Sequence, residues 1–440
     1  MKLRSWLALR SPEYLFNKAR TLLQRYGISE RKAVVRTTAF IEYLAERGGA
    51  ATLFAPGTVL ERHPKVIARF LEAGVEIGMH GWEHVDLRNY PVDEARAQLF
   101  KATQAFNDRG MVVHGFRCPY LGHSDALIAS LPPEWIQYSS NSAVWWNVVS
   151  DSDLGKGNAI YDATLRFYAP KASHTHVSIP WQRANLIEIP VSLPDDMLLF
   201  DGIFRDVDAM TEAWRGIMAQ TYRRGELFNL IFHPELADRE QVPFGLLLEE
   251  GRHLNPPVWC TRLCDVSEWW QEKRRFKALV ESTSSGEAGE QLRISFEACS
   301  QHATLLFRGL SVPGDEPWDG EYRRLRIGES GEAVVNVPAE PRPFVGVSAG
   351  VPAATRTVLR ELGYIMETEP ENVEKCGVII NEQTLKEHSH EVALVEHIEA
   401  TTAPLVRFWP WPDGTRSALC FSGDLDALSL TDYAARLWSR

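Results

Sequence analysis

Apolar positions in residues 33–48, "KAVVRTTAFIEYLAER", recur at helical spacing, and Gly48-Gly49 closes the segment. The run after it, "AATLFAP", is short and continuously apolar, which predicts a buried strand stopped at Pro56. The same alternation continues. "HPKVIARFLEAG" predicts a helix closed by Gly74, "VEIGMH" a strand, "VDEARAQLFKATQAFNDRG" a helix and "MVVHGFR" a strand. Later strands are predicted at "LIEIPVSL" and "LFNLIFHP". Strands separated by helices pair in parallel through right-handed crossovers, so this part predicts an open α/β sheet or a (β/α) barrel.

The pattern changes at residues 281–291, "ESTSSGEAGEQ", whose polar, Gly- and Ser-rich composition predicts a linker. "LRISFEA", "ATLLFRG", "EAVVNVP" and "RPFVGVSA" then predict a β-rich unit over residues 281–350. Helix and strand alternate again over residues 351–412, which predicts a small α/β unit; Gly350, between strand and helix, fits a turn or an anion site at the helix N-terminus, the turn being the commoner. Residues 413–440 supply one more apolar strand, Ser417 to Phe421, an acidic turn containing Asp424 and Asp426, and a short amphipathic segment.

Composition narrows the partners. The 440 residues carry a net charge of −11, against the basic face that nucleic acids and acidic membranes require. No apolar run approaches the roughly 18 residues of a membrane span. The apolar stretch Trp6 to Leu9 is too short for the core of a secretion signal, so a cytoplasmic protein is expected. The six cysteines are scattered and read as reduced; Cys260 and Cys264 have half the spacing pattern of a metal site and no second pair.

Candidate chemistry collects at strand ends. "GMHGWEH" places His80 and His84 four residues apart, where one helical turn would aim both imidazoles at a shared metal. "HGFRCPYLG" follows a strand with Arg117, Pro119 and Tyr120; "NLIFHPE" ends one on His233-Pro234; "IEIPVSLPDD" ends another on Asp195-Asp196. Ligands of parallel α/β folds bind at the carboxyl ends of the strands. Each of these residues taken singly also fits a surface, capping or core role.

As a set the motifs resemble the polysaccharide deacetylase family, the NodB-homology domain. "HGWEH" is similar to its H-[ST]-x-x-H motif, with Gly81 in place of the small hydroxyl residue. Arg117-Cys118-Pro119-Tyr120 is similar to R-x-P-[YW], and Leu230 with His233-Pro234 to L-x-x-H-P. "PVSLPDD" approximates the aspartate motif before it. The family's opening strand, ending in paired aspartates, has no counterpart in residues 1–50; "ALCFSGDLD" resembles it instead. The resemblance therefore implies a circularly permuted, distorted (β/α) barrel of the NodB type (residues 1–280), completed by a C-terminal strand (413–440) that lies beside "AATLF".

The resemblance also implies roles. His80, His84 and Asp426 would hold a divalent metal, zinc before other late first-row ions, with Asp424 as general base. Arg117 would pair with Asp424, and the backbone N–H of Tyr120 would help the metal hold the oxyanion. His233 would protonate the leaving amine, tuned by Asp195 or Asp196. Trp82, Trp145, Trp146 and Tyr120 are candidates for stacking on sugar, and Leu230 for lining the substrate site. The implied activity is removal of acetyl groups, foremost N-acetyl, from a sugar or glycan precursor. Rival readings are an amidohydrolase on a small nitrogenous substrate, an inactive carbohydrate-binding barrel, and a homodimer that exchanges the C-terminal strand.

Overall fold

The structure is a computed structural model that describes residues 22–23, 25–150, 153, 158–203, 206–285 and 289–438. Trp6 to Leu9 therefore lie outside the described residues.

Short apolar runs interrupted by helices form one 12-stranded sheet. Its strands are β1 (Ala51–Ala55), β2 (Glu76–Met79), β3 (Gly115–Phe116), β4 (Tyr138–Ser139), β5 (Ala143–Trp145), β6 (Lys171–Ala172), β7 (Trp181–Arg183), β8 (Leu186–Glu188), β9 (Val191–Leu193), β10 (Leu227–Phe232), β11 (Val258–Cys260) and the C-terminal strand Ser417–Asp424. The order is β6-β5-β9-β10-C-terminal strand-β1-β2-β3-β4-β8-β7, with β11 paired to the start of the C-terminal strand. All pairs are parallel except β7 with β8. The sheet curls as a distorted barrel and leaves β6 and β7 as its edges.

Helices cover the sheet for the reasons their sequences suggest. Arg31–Glu46 turns Phe40, Ile41 and Leu44 inward, onto the barrel core. Val207–Arg224 starts on an Asp206 cap, whose carboxylate accepts from the Asp208 N–H, and ends at Gly225 in the left-handed region. The core between sheet and helices is aliphatic and aromatic, with the Phe244 and Phe421 rings stacked at 4.4 Å.

The C-terminal strand is central. Phe421, Ser422 and Gly423 pair with Ala51, Thr52 and Leu53 on one side; Ala418 to Gly423 pair with Leu227 to Phe232 on the other. All eight of its residues are buried. It sits in the sheet of its own chain.

Two expectations are corrected. Residues 281–291 do not form a linker: Lys277–Ser285 and Gly289–Glu297 are antiparallel strands of one hairpin, whose residues 286–288 lie outside the described ones. Nor does residue 350 divide the sheets. Arg342–Val347 is the middle strand of a parallel sheet with Met366–Glu367 and Cys376–Ile380, while Leu405–Phe408 pairs back with Thr304–Arg308. The two inserted units share a core with the barrel floor through Trp269, Trp270 and Trp411. Trp411 is fully buried and donates to the Gly225 carbonyl at 2.8 Å.

Candidate active site

Register delivers the site. Ala55 pairs with Met79 and Phe54 with Asp424, so β2 and the C-terminal strand release His80 and Asp424 at the same end of the sheet. β10 ends beside Gly423 and releases His233 there, and β3 pairs Phe116 with Met79 and releases Arg117. The segment after β2 is a bend rather than the expected helical turn. It is tied down by Gly57 N–H to the Gly81 carbonyl and Thr58 N–H to the Trp82 carbonyl. Gly81 has φ +76°, a conformation L side chains rarely adopt, which accounts for glycine at this place in the motif.

His80, His84 and Asp426 converge, with one ligand atom from each inside 4.8 Å. His84 Nε2 lies 2.9 Å and His80 Nε2 3.5 Å from Asp426 Oδ1. His80 donates from Nδ1 to the Arg117 carbonyl at 2.9 Å, which leaves Nε2 as the lone-pair nitrogen. That Nε2 and Asp426 Oδ1 are both buried, with no hydrogen-bond partner among the described residues. Two imidazoles, a carboxylate and two orphaned acceptors facing each other fit a divalent cation with open positions left for substrate. Burial pushes the His84 imidazole down to about 4, so it is neutral as a ligand must be.

Arg436, on the helix Leu430–Trp438, donates to Asp426 Oδ2 and to His84 Nδ1, each at 2.8 Å, and to the Tyr120 hydroxyl at 3.4 Å. Because a guanidinium only donates, this contact puts the His84 proton on Nε2, toward Asp426. For His84 to hold a cation through Nε2, its proton would have to move to Nδ1, where it would compete with the Arg436 contact.

Arg117 braces the other carboxylate. Its guanidinium is fully buried and reaches Asp424 Oδ1 at 2.9 Å, Ser422 Oγ at 2.7 Å, Ser140 Oγ at 3.0 Å and the Ser140 carbonyl at 3.2 Å. Asn229 closes the network, accepting from Ser422 and donating to Ser140. Tyr120 has φ +59° and Leu121 φ +53°, consecutive left-handed residues without glycine, and such strain collects at functional loops. The Tyr120 ring meets His84 edge-on at 4.5 Å.

His233 stands opposite. Its Nδ1 donates to Asp196 Oδ1 at 2.8 Å and its backbone N–H to Asp196 Oδ2 at 2.6 Å. Burial opposes the imidazolium, but the Asp196 carboxylate outweighs it and raises His233 to about 10. Asp195 turns instead to the Leu198 N–H, and burial beside Asp196 raises it to about 7.

Three candidates for substrate contact stand differently from expectation. Leu230 is fully buried in the barrel core, its backbone paired between Ser192 and Phe421, so it packs the sheet. Trp82 lies against Gly57, where a Cβ would meet its ring at 2.5 Å, and under the Lys101 ammonium at 3.8 Å. Trp146 is fully buried. Trp145 is only partly buried, edge-on to Tyr161 at 4.7 Å. Sequence reasoning missed Arg436, Ser140, Ser422, Asn229 and the Glu240 carboxyl behind Asp196.

Fold and site together define an α/β barrel with a cluster of two histidines and one carboxylate at the carboxyl ends of its strands. Residues 31–132 match the family model for polysaccharide deacetylase. It is similar to the peptidoglycan-N-acetylglucosamine deacetylase PgdA of Listeria monocytogenes, 26% identical over 110 residues, which are 25% of this chain and 24% of that protein. The chain thus matches about a quarter of the length of its curated relatives. Among solved structures it is similar to one described as a polysaccharide deacetylase from Mycobacterium smegmatis (21% identity, TM-score 0.42, 54% of this chain and 77% of that one). It is also similar to Puue allantoinase (18% identity, TM-score 0.41, 54% and 72%). No helix among the described residues is long and apolar enough to cross a membrane.

Proposed function

We propose that the protein is a metal-dependent hydrolase that removes acetyl groups, foremost N-acetyl, from a sugar or glycan precursor. The observation that carries this reading is the meeting of His80, His84 and Asp426, with Asp424 on one flank and His233 on the other. His80, His84 and Asp426 would hold the cation, with zinc the first choice for this donor set. When bound it supplies Lewis acidity and makes water a nucleophile near neutral pH.

The remaining work belongs to the chain. Asp424, oriented by Arg117, takes the proton of the attacking water. The strained Tyr120 turn offers its backbone N–H to the carbonyl oxygen as charge develops there. His233, charged at neutral pH by Asp196, hands a proton to the departing amine. The order of the motifs fits a circularly permuted member of the family, with the aspartate strand placed after the rest of the barrel. A cytoplasmic setting is part of the proposal, supported by the six cysteines, all free.

Acetate release from N-acetylated oligosaccharides and nucleotide sugars tests the reading. Chelation is expected to reduce it to background, and one equivalent of zinc to restore it. The rate should fall as pH rises toward about 10, where His233 loses its proton. Its stabilising charge is likewise fully present below the ordinary value of 6.5 and lost through about 10. Release indifferent to chelator would overturn the proposal.

A further inference from the structure

His233 and Asp196 have a third member behind them. Glu240 sits in the first turn of the helix Ala237–His253, 1% exposed. Neither of its carboxyl oxygens meets an N–H or O–H donor among the described residues. Its carboxyl lies within hydrogen-bond reach of Asp196. Asp196 already accepts from the His233 ring, the His233 N–H and the Met197 N–H, so it is the anion of the group. Among the described residues, Glu235 and Arg25 also act on Glu240, and these satisfy one another: Arg25 and the Tyr26 hydroxyl both donate to Glu235 Oε1. Asp195, beside Asp196, turns to the Leu198 N–H, and Asp426 acts on His233 from the site side.

Two neighbouring buried carboxylates with one imidazolium beside them do not both stay charged. A single proton resolves the conflict, turning the unpartnered Glu240 into a donor and Asp196 into its acceptor. We infer that Glu240 is a positioning residue for His233: held as a neutral acid, it donates to Asp196 and fixes the carboxylate that orients and charges the imidazole. The triad is then neutral overall, with its one cation at the end that faces the site. Burial pushes Glu240 well above the usual carboxylate range, with Asp196 and then Glu235 adding to the effect, in agreement with this arrangement.

The catalytic sense of the inference rests on the acid role proposed for His233, but its structural core is tested without substrate. NMR titration of His233 in the full chain is compared for wild type, Glu240→Gln and Glu240→Met. Replacing a neutral acid with a neutral amide or thioether should leave the His233 midpoint within about one pH unit. An ionised Glu240 would instead make the midpoint fall in both variants, which overturns the inference. The wild-type infrared spectrum at neutral pH should also show a protonated-carboxyl band that Glu240→Gln removes; no such difference overturns it too. Glu240→Met serves if the amide is not accommodated. In turnover, Glu240→Gln should keep kcat while Glu240→Met lowers it about tenfold at unchanged KM, the size of one lost hydrogen bond to a charged group. If no acetyl substrate is found, the titration and infrared outcomes still decide the question.

Discussion

Asp426→Asn should lose metal and turnover together, whereas Asp424→Asn should keep metal and lose turnover. Both residues sit past the same strand, two positions apart, yet the structure gives them different partners. Asp426 Oδ1 faces the two imidazoles and Oδ2 is held by Arg436. Asp424 Oδ1 is held by Arg117, and Oδ2 stands 3.9 Å from His80 Nε2. An amide at 426 would remove the one carboxylate among the three proposed ligands. Zinc affinity should fall by more than the roughly 10- to 100-fold typical of losing an outer-shell partner. An amide at 424 cannot accept a proton, and general-base contributions of about 100- to 10,000-fold set the expected fall in kcat. Calorimetric zinc titration beside a rate assay reads both. Loss of zinc in Asp424→Asn with retention in Asp426→Asn would reverse the assignment.

Arg117→Met should be both less stable and inactive. The guanidinium is fully buried and links strands that arrive from opposite ends of the chain, through Ser140, Ser422 and Asp424. Methionine fills much of the volume but takes the guanidinium donor from the Asp424 carboxylate and the Ser422 hydroxyl, and one of two donors from Ser140 Oγ. Breaking a buried pair on one side costs about 3–5 kcal/mol, to be read from denaturant midpoints. Arg117→Lys should recover only part of this, since an ammonium cannot reproduce the forked contacts. The rate should remain low in both variants under conditions where they are folded, because Asp424 has lost its orientation. Wild-type stability in Arg117→Met would remove this network from the account.

The alternation of helices and strands in the barrel was legible because buried parallel strands are short, mostly apolar runs, as in Leu227–Phe232, where Asn229 alone is polar. His80, Arg117, His233 and Asp426 were legible because each follows such a run. The hairpin over residues 277–297 was not. In its first strand Glu281 and Ser282 are exposed and Thr283 is half-buried, so these residues carry no apolar alternation and read as a linker. Arg436 and Glu240 were invisible for another reason. Each lies on a helix and acts by touching a residue remote in sequence, Arg436 reaching His84 across 352 positions. Periodicity has nothing to say about such a contact. Leu230, by contrast, was assigned to substrate through its motif, while its fully buried strand position makes it core.

The central claim is that carboxylates on the C-terminal strand and imidazoles after β2 form one cation site within a single chain. Anomalous diffraction at the zinc edge, from crystals of the full chain grown with zinc, measures it most directly. The account predicts one strong peak about 2.0–2.2 Å from His80 Nε2, His84 Nε2 and an Asp426 oxygen. A fully occupied peak elsewhere, with Asp426 still bound only to Arg436, would contradict it.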